Sequence, residues 1–159
     1  MKPIALQDLT AQAFAPYGEV LVAPREAGKS YFDGRLANLR AGVPPSLFLT
    51  HKLPLQGNTL RVVTMERHRY SSQSFMPIGP AHWLALVAPH AASGGPDMSR
   101  AEAFLARPGQ GVTFAADCWH HPMTVMQAPA QFIVFMWRDG TADDEEFVPV
   151  EPFDLDIRW

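Results

Sequence analysis

Glu66, His68 and Gln73 lie within residues 65–75, where a run typical of a β-strand ends. Because successive side chains of a strand point to opposite faces, Glu66 and His68 are predicted to share a face. Gln73 follows a short polar turn and is predicted to return to that face. A carboxylate, an imidazole and an amide together can bind a divalent metal or a polar substrate. From this stretch alone, the alternative is a solvated turn in which Glu66 pairs with a neighbouring arginine.

His120 and His121 stand side by side in the stretch 118–123, which reads CWHHPM. Neighbouring side chains of an extended chain point to opposite faces, so one of the two is predicted to enter a site and the other is not. Pro122 lacks a backbone N–H and marks the edge of a strand ladder. A histidine beside such an edge is well placed at the mouth of a barrel. The alternative is a pair of structural histidines beside a buried tryptophan.

The elements that must position these residues are predicted to be short strands. Fifteen prolines and eleven glycines punctuate the chain, which favours a mainly β sandwich or barrel over long helices. One short helix is predicted within residues 9–18, with Thr10 as its N-cap and Phe14 facing inward. The strand candidates are 3–6, 19–22, 31–40 (weak), 46–51, 59–66, 82–89 (apolar enough to be buried on both faces), 101–106 (ambiguous between helix and strand), 110–114, 121–128 and 131–137; the acidic tail 139–159 is predicted to wrap the surface.

The composition limits the function classes. With 159 residues, 47% of them hydrophobic and 18% charged, the chain suits a single domain over residues 1–159 with a sizeable core. A net charge of −3 without a basic run argues against a nucleic-acid partner. No signal peptide and no apolar window of about 20 residues is evident, so a membrane span is not expected. Cys118 is the single cysteine, which excludes an intrachain disulfide and fits a reducing compartment. We therefore expect a cytoplasmic protein.

The two polar stretches resemble the two half-motifs of the cupin barrel. In that superfamily a first motif supplies histidines with a Glu or Gln, as at Glu66, His68 and Gln73. A second motif has Pro-Gly, a strand and then a Trp-His pair, as in the stretch 108–120. Aligning the second motif puts His120 at the ligand position and points His121 to the opposite face or the rim. The resemblance implies a mainly β, cupin-like β-barrel with a short N-terminal helix.

Four motifs in order carry a narrower resemblance, to the ureidoglycolate lyase (ureidoglycolate hydrolase) family. The resemblance covers the chain from about residue 4 to about residue 150. It implies a carbon–nitrogen lyase that cleaves ureidoglycolate to glyoxylate and urea in purine (allantoin) catabolism. A homodimer is expected too, because the apolar content exceeds what a small barrel readily hides. The motif residues are Phe14, Tyr17, Gly18 and Val20, then Glu66, Arg67 and His68, then Gln73, Phe75 and Pro77, and last Trp119 to Pro122.

The resemblance also implies roles for the site residues. Glu66, His68 and His120 are the expected catalytic residues. A divalent metal (Mn, Ni, Fe or Zn), where one is bound, would act as a Lewis acid. Without a metal, His120 or His68 would move protons directly. The expected metal ligands are Glu66, His68, Gln73 and His120; the expected substrate-binding residues are Gln73, His121, Lys52 and Arg138, with Arg61 as a further source of positive charge.

Three departures from the family pattern bear on the substrate. The chain has Asp33 where the family usually has Asn, lacks a family arginine around Thr50–Lys52, and has Met136–Trp137 near the end of an apolar strand. These changes affect side chains that would hold the carboxylate of the substrate. The alternative function is therefore a cupin-type protein that binds or acts on another small hydroxy or keto acid. A structural β-domain with no site would require both polar clusters to be accidental.

Overall fold

The computed structural model describes residues 4–158, and the fold is mainly β, with 50% strand and 5% helix. The predicted mainly β, cupin-like architecture is confirmed. No helix in the described part of the chain is long and apolar enough to cross a membrane. The elements are β1 Leu6–Asp8, α1 Ala11–Phe14, β2 Gly18–Val22, β3 Pro45–Lys52, β4 Thr59–His68, β5 Gln73–Ile78, β6 Trp83–Ala88, a 3₁₀ helix Met98–Arg100, β7 Glu102–Ala106, β8 Gln110–Phe114, β9 Trp119–His120, β10 Thr124–Val125, β11 Ala130–Trp137 and β12 Glu145–Asp156.

The strands form two sheets. One has the order β1-β7-β6-β9-β4-β12, with β10 also paired to β6; the other has the order β2-β8-β5-β11-β3. Strands β4 and β9 are neighbours in the first sheet. Strand β5, which begins at Gln73, belongs to the second sheet. This arrangement places the two polar stretches of the sequence within reach of each other.

The strand β6 shows how the core is built. Trp83, Ala85 and Val87 belong to the cluster between the two sheets, whereas Leu84 and Leu86 belong to a second cluster on the other face of the first sheet. All six residues of β6 are buried, which confirms the prediction that this strand is covered on both faces. Each fully buried large aliphatic side chain contributes roughly 1.5–3 kcal/mol, so both faces contribute to stability.

The short N-terminal helix is also where the sequence predicts it. The Thr10 side chain accepts a hydrogen bond from the Ala13 backbone N–H, which satisfies one free donor of the first turn. Phe14 is fully buried and packs edge-on against Phe104 and Phe114. The ambiguous segment 101–106 is a strand, because β7 pairs with β6 on one side and β1 on the other.

Several predicted elements differ from the structure. Residues 31–40 form no strand and make one bridge, Asn38 to Ser71. The Asn38 side chain there bonds the Arg40 N–H and the Val43 carbonyl, so a local turn replaces a ladder. The segment 121–128 shortens to β10, and the first strand lies at Leu6–Asp8; Pro3, in the predicted 3–6, lies outside the described residues. Strand β5 was not predicted.

The prediction that the acidic tail wraps the surface is wrong. Residues 145–156 form β12, which pairs antiparallel with β4 along most of its length. Val148, Phe153 and Leu155 pack against the second core cluster, while acidic residues alternate with them. The apolar positions therefore made a strand out of a segment whose charge and prolines favoured a surface loop.

Candidate active site

The end of β4, the start of β5 and the short β9 bring four predicted site residues together. Glu66 and His68 are both buried at the end of β4, and Glu66 is the register partner of His120 on β9. Gln73, the first residue of β5, is buried in the facing sheet, where its register partners are Phe114 and Met136. The four residues thus come from three strands and both sheets.

Arg67 points away from this cluster. Its guanidinium lies 4.4 Å over the Trp119 ring and contacts Glu146 at 2.6 Å and Asp117 at 2.8 Å. This contact also fixes the turn before β9, in which Asp117 adopts a left-handed conformation with φ of 66°. The alternative in which Glu66 pairs with a neighbouring arginine is not what the structure has: Arg67 uses other carboxylates, and Glu66 is left to face His120.

Glu66 and His120 form a close buried pair. The His120 Nδ1 lies 2.9 Å from the Cys118 carbonyl oxygen, which can only accept, so Nδ1 carries a hydrogen. The Nε2 atom lies 3.3 Å from the Glu66 Oε1 atom. Nε2 has no hydrogen-bond partner, and two facing acceptors would repel at this distance unless a shared proton or a bound cation lies between them. Burial raises the pKa of Glu66. The neighbouring His120 side chain lowers it by more, so the pKa of Glu66 lies below its usual value.

Packing fixes the His120 ring. The ring stacks on Phe114 with centroids 4.2 Å apart and planes 8° apart, and His120 is 2% exposed. With one nitrogen bound to a backbone carbonyl and one face covered by an aromatic ring, the imidazole has little freedom to rotate. The orientation of Nε2 toward Glu66 is therefore built into the fold.

His68 is a second buried imidazole with a different character. Burial lowers the pKa of His68, and the nearby His120 adds to this effect. Glu66 and Asp144 raise it by less, so the pKa of His68 is about 4. Its ring centroid lies 6.0 Å from that of His120. At neutral pH the His68 ring is therefore neutral and able to accept a proton.

His68 and Gln73 line a small cavity of about 160 Å³, whereas Glu66 and His120 are not among its lining residues. It is smaller than the usual pocket for drug-sized ligands, so it suits a molecule of a few heavy atoms. Larger surface crevices, such as that of about 420 Å³ beside Leu55 and Ile157, are lined by none of the predicted site residues. The residues lining the small cavity are Arg40, Phe48, His68, Gln73, Met136, Arg138, Asp139, Thr141, Asp144 and Glu145.

Two of the lining residues, Arg40 and Asp144, were missed by the sequence analysis. The Arg40 Nη1 atom donates to Asp139 at 2.8 Å, and its Nη2 atom lies 3.6 Å from the Asp144 Oδ2 atom. Arg40 belongs to the segment around Asp33, where the chain departs from the family pattern, and that departure was the available signal. Asp144 sits in a run of acidic residues, where no spacing sets it apart from its neighbours.

The other predicted substrate-binding residues fall in different places. Arg138 lines the cavity, with its guanidinium carbon 5.9 Å from the Phe48 ring centre. Lys52 is not brought to the cluster. It pairs with Ala130, whereas Gln73 and Met136 are level with Ser46, so about six residues, or roughly 20 Å of strand, separate the two positions.

Arg61 and His121 also lie off the cavity lining. Arg61 pairs with Asp154 at 3.1 Å on the surface. His121 is half-buried; its ring Nδ1 lies 2.7 Å from the Pro122 carbonyl, and burial lowers its pKa. It remains a prediction that His121 contacts the substrate, and it remains a prediction that His121 is not a metal ligand.

The donor atoms needed for a metal are present, but not as a ready cluster. Both ring nitrogens of His68, Nε2 of His120 and Oε1 of Gln73 are buried without a hydrogen-bond partner. Mixed nitrogen and oxygen donors of this kind fit a divalent ion. Within residues 4–158, however, no three His, Cys, Asp or Glu side chains are grouped to hold a metal. A metal here would therefore draw on Gln73, and the predicted ligand set stays a prediction.

Comparison with known proteins agrees with the motifs. The family model described as ureidoglycolate lyase matches residues 1–156. A ureidoglycolate lyase of Schizosaccharomyces pombe is 30% identical to the chain, over 91% of the chain and 89% of that protein. A ureidoglycolate lyase of Chelativorans sp. is 33% identical, over 99% of the chain and 98% of that protein. A third, from Brucella abortus, is 30% identical over 92% of the chain and 89% of that protein. The chain belongs to the ureidoglycolate lyase family.

Proposed function

We propose that this chain is a ureidoglycolate lyase, which cleaves ureidoglycolate to glyoxylate and urea. Family membership supports the reaction. The single structural observation that carries the proposal is the close buried pair of Glu66 and His120 beside the neutral His68. In this proposal the pair shares one proton. Elimination across a carbon–nitrogen bond needs a base and an acid held close together, and these three residues supply both.

The reaction balances with the groups available. His68 accepts the proton of the substrate hydroxyl, and the O–H electron pair becomes the carbonyl of glyoxylate. The carbon–nitrogen bond breaks with its electrons going to nitrogen. The pair of Glu66 and His120 gives its proton to that nitrogen, which leaves as urea. Transfer of the proton from His68 back to the pair restores the starting state.

The substrate carboxylate is held at the cavity by arginine. Arg138 lines the cavity, and no acidic partner within residues 4–158 forms an ion pair with it. Arg40 supplies a second positive charge, partly balanced by Asp139. The buried Gln73 Oε1 atom has no partner and is suited to accept an N–H of the ureido group.

A divalent metal remains part of the proposal. The ligands would be Glu66, His68, Gln73 and His120, and a bound ion would polarise the developing carbonyl as a Lewis acid. The proton transfers above apply to the metal-free protein, because a nitrogen or oxygen atom that binds the ion cannot also carry or accept a proton. The metal and the direct acid–base route are separated by measuring activity with and without a chelator.

The decisive experiment is an assay for glyoxylate released from ureidoglycolate by the purified protein, with and without added Mn. Wild type and His120→Ala are compared with His51→Ala, which changes an exposed histidine on β3. We expect release by wild type and His51→Ala only. Glyoxylate binding without release by wild type would instead support the alternative, a protein that binds a small hydroxy or keto acid. The missing arginine near Thr50–Lys52 favours that outcome.

We further propose that the protein is a homodimer that pairs through the outer face of the five-stranded sheet. Leu47 and Leu49 on β3 are 70% and 69% exposed, and Leu49 is level with the exposed Ile133 on β11. β3 is also an edge strand. A continuous apolar face beside a sheet edge is a common interaction surface, and two-fold dimers are the commonest assembly.

The setting we propose is the cytoplasm, in purine catabolism through allantoin. The support is the chemistry of the proposed substrate together with the one unpaired cysteine, Cys118, which fits a reducing compartment. Fractionation of cells that express the protein tests the location.

A further inference from the structure

Asp144 is a buried carboxylate that the proposed proton transfers do not use. It ends the loop between β11 and β12. Its backbone carbonyl accepts from the Arg69 N–H at 2.9 Å, and its Oδ1 atom accepts from the Tyr70 N–H at 2.7 Å. These two bonds hold the carboxylate directly beside the end of β4, where His68 lies.

The other carboxylate oxygen of Asp144 faces two donors. Oδ2 is buried without a hydrogen bond and lies 3.6 Å from Arg40 Nη2 and 3.8 Å from His68 Nδ1. Arg40 is meanwhile bound through Nη1 to Asp139 at 2.8 Å. Asp139, Arg40, Asp144 and His68 thus form a row of alternating acidic and basic groups that ends at the His68 ring.

We propose that Asp144 is the positioning residue of His68: its Oδ2 atom faces the Nδ1–H of the neutral ring and so leaves Nε2 without a proton. A neutral imidazole carries one hydrogen, and the group facing one nitrogen decides which nitrogen carries it. An ionised carboxylate can only accept, so it favours the form with hydrogen on Nδ1. The consequence for turnover rests on the proposed function; the position of the hydrogen does not.

A competing explanation is that Asp144 only anchors residues 69 and 70. The variant Asp144→Asn separates the two. Its carbonyl oxygen still accepts from the Tyr70 N–H, while its NH₂ group replaces Oδ2 opposite His68. That NH₂ group can donate to Nδ1 but cannot accept from it, so the ring hydrogen should move to Nε2. Asp143→Asn, an exposed residue of the same loop, is the matched control.

The experiment records two-bond ¹H–¹⁵N spectra of the histidine rings, assigned with His68→Gln, near neutral pH. We expect His68 with hydrogen on Nδ1 in wild type and in Asp143→Asn, and on Nε2 in Asp144→Asn. With ureidoglycolate, we expect kcat of Asp144→Asn to fall about 10- to 100-fold, as when other carboxylates that orient a histidine are removed. KM should change less than kcat, because Asp144 is not proposed to contact substrate.

The wild-type spectrum alone can overturn the proposal, even if Asp144→Asn does not fold: hydrogen on Nε2 of His68 in wild type is incompatible with it. A folded Asp144→Asn whose His68 spectrum matches wild type would equally leave Asp144 as a loop anchor. If wild type releases no glyoxylate, the proposed function fails, but the spectra still decide the relation between Asp144 and His68.

Discussion

Glu66 and His120 face each other across the neighbouring strands β4 and β9, with Oε1 and Nε2 3.3 Å apart. The Nδ1 atom of His120 donates to the Cys118 carbonyl oxygen at 2.9 Å. The other ring nitrogen, Nε2, is the one that points at the Glu66 carboxylate. A buried carboxylate that faces a histidine nitrogen without a hydrogen bond leaves charge in a poorly solvated place, and such groups cluster at functional sites.

The first prediction concerns Glu66. Glu66→Gln keeps the size of the side chain but removes the charge that lets the pair hold and release a proton. We expect kcat for ureidoglycolate to fall about 10²–10⁴-fold, the usual contribution of a general acid or base. Glyoxylate production under saturating substrate measures it. Glu146→Gln, which changes a carboxylate bound to Arg67 on the other side of β4, is the control, and similar losses in both variants would contradict a special role for Glu66.

The second prediction compares the two neighbouring histidines. His120 faces Glu66 at 3.3 Å, whereas His121 is bound to the Pro122 carbonyl. We expect His120→Ala to lower turnover about 10²–10⁴-fold and His121→Ala to have a much smaller effect. Steady-state kinetics of both variants decide this. If the two effects are exchanged, the assignment of strand faces in CWHHPM is off by one residue.

The sequence predicted the strands whose pattern is strong. β4 and β6 have β-branched and apolar runs, and the pairing of Glu66 with His68 on one face follows from their spacing of two. The arrangement of Glu66 with His120, 54 positions apart, could be expected through the family resemblance only. Nothing local to either residue shows that β9 lies next to β4.

What the sequence did not show depends on long-range packing. Residues 145–156 mix acidic and apolar side chains, and the strand β12 forms because β4 offers an edge to pair with. The cavity then takes Asp144 from the loop before β12 and Arg40 from a segment with little regular structure. Asp144 has no local signal, since its place depends on where β12 lies, and Arg40 has only the departure of its segment from the family pattern.

The third prediction concerns metal. Protein purified without chelator is analysed for Mn, Ni, Fe and Zn, in wild type and in His120→Ala. If the unpaired donors of His68, Gln73 and His120 bind an ion, we expect metal in wild type and a reduced content in His120→Ala. Equal metal content in both proteins would show that His120 is not a ligand. Full activity of wild type without bound metal would show that the reaction does not need the ion.

The fourth prediction concerns assembly. Leu49→Glu places a charge on the exposed face of β3, opposite Ile133, where a dimer would bury it without a partner. We expect wild type to sediment as a dimer and Leu49→Glu to shift toward the 17.6 kDa monomer. Sedimentation velocity at micromolar concentration measures it. Arg61→Glu, a surface change on the other sheet, should leave the dimer intact; dissociation by both variants, or a monomeric wild type, would contradict the proposed interface.

The last prediction is a dependence of stability on pH that comes from His68. Its pKa is about 4 in the folded protein against 6.5 in a solvated chain, so the unfolded state binds the extra proton first. Stability is therefore full above pH 6.5 and is lost as the pH falls toward 4, by at most about 3 kcal/mol at 1.36 kcal/mol per pH unit. His121, whose pKa is also lowered, acts in the same direction.

Urea unfolding from pH 7.5 to 4.5, with EDTA present, should give a smaller loss for His68→Gln than for wild type or for His51→Gln. Parallel curves for wild type and His68→Gln would mean that His68 is protonated in the folded protein as easily as in the unfolded chain, and its assignment as a neutral base would fall with that result.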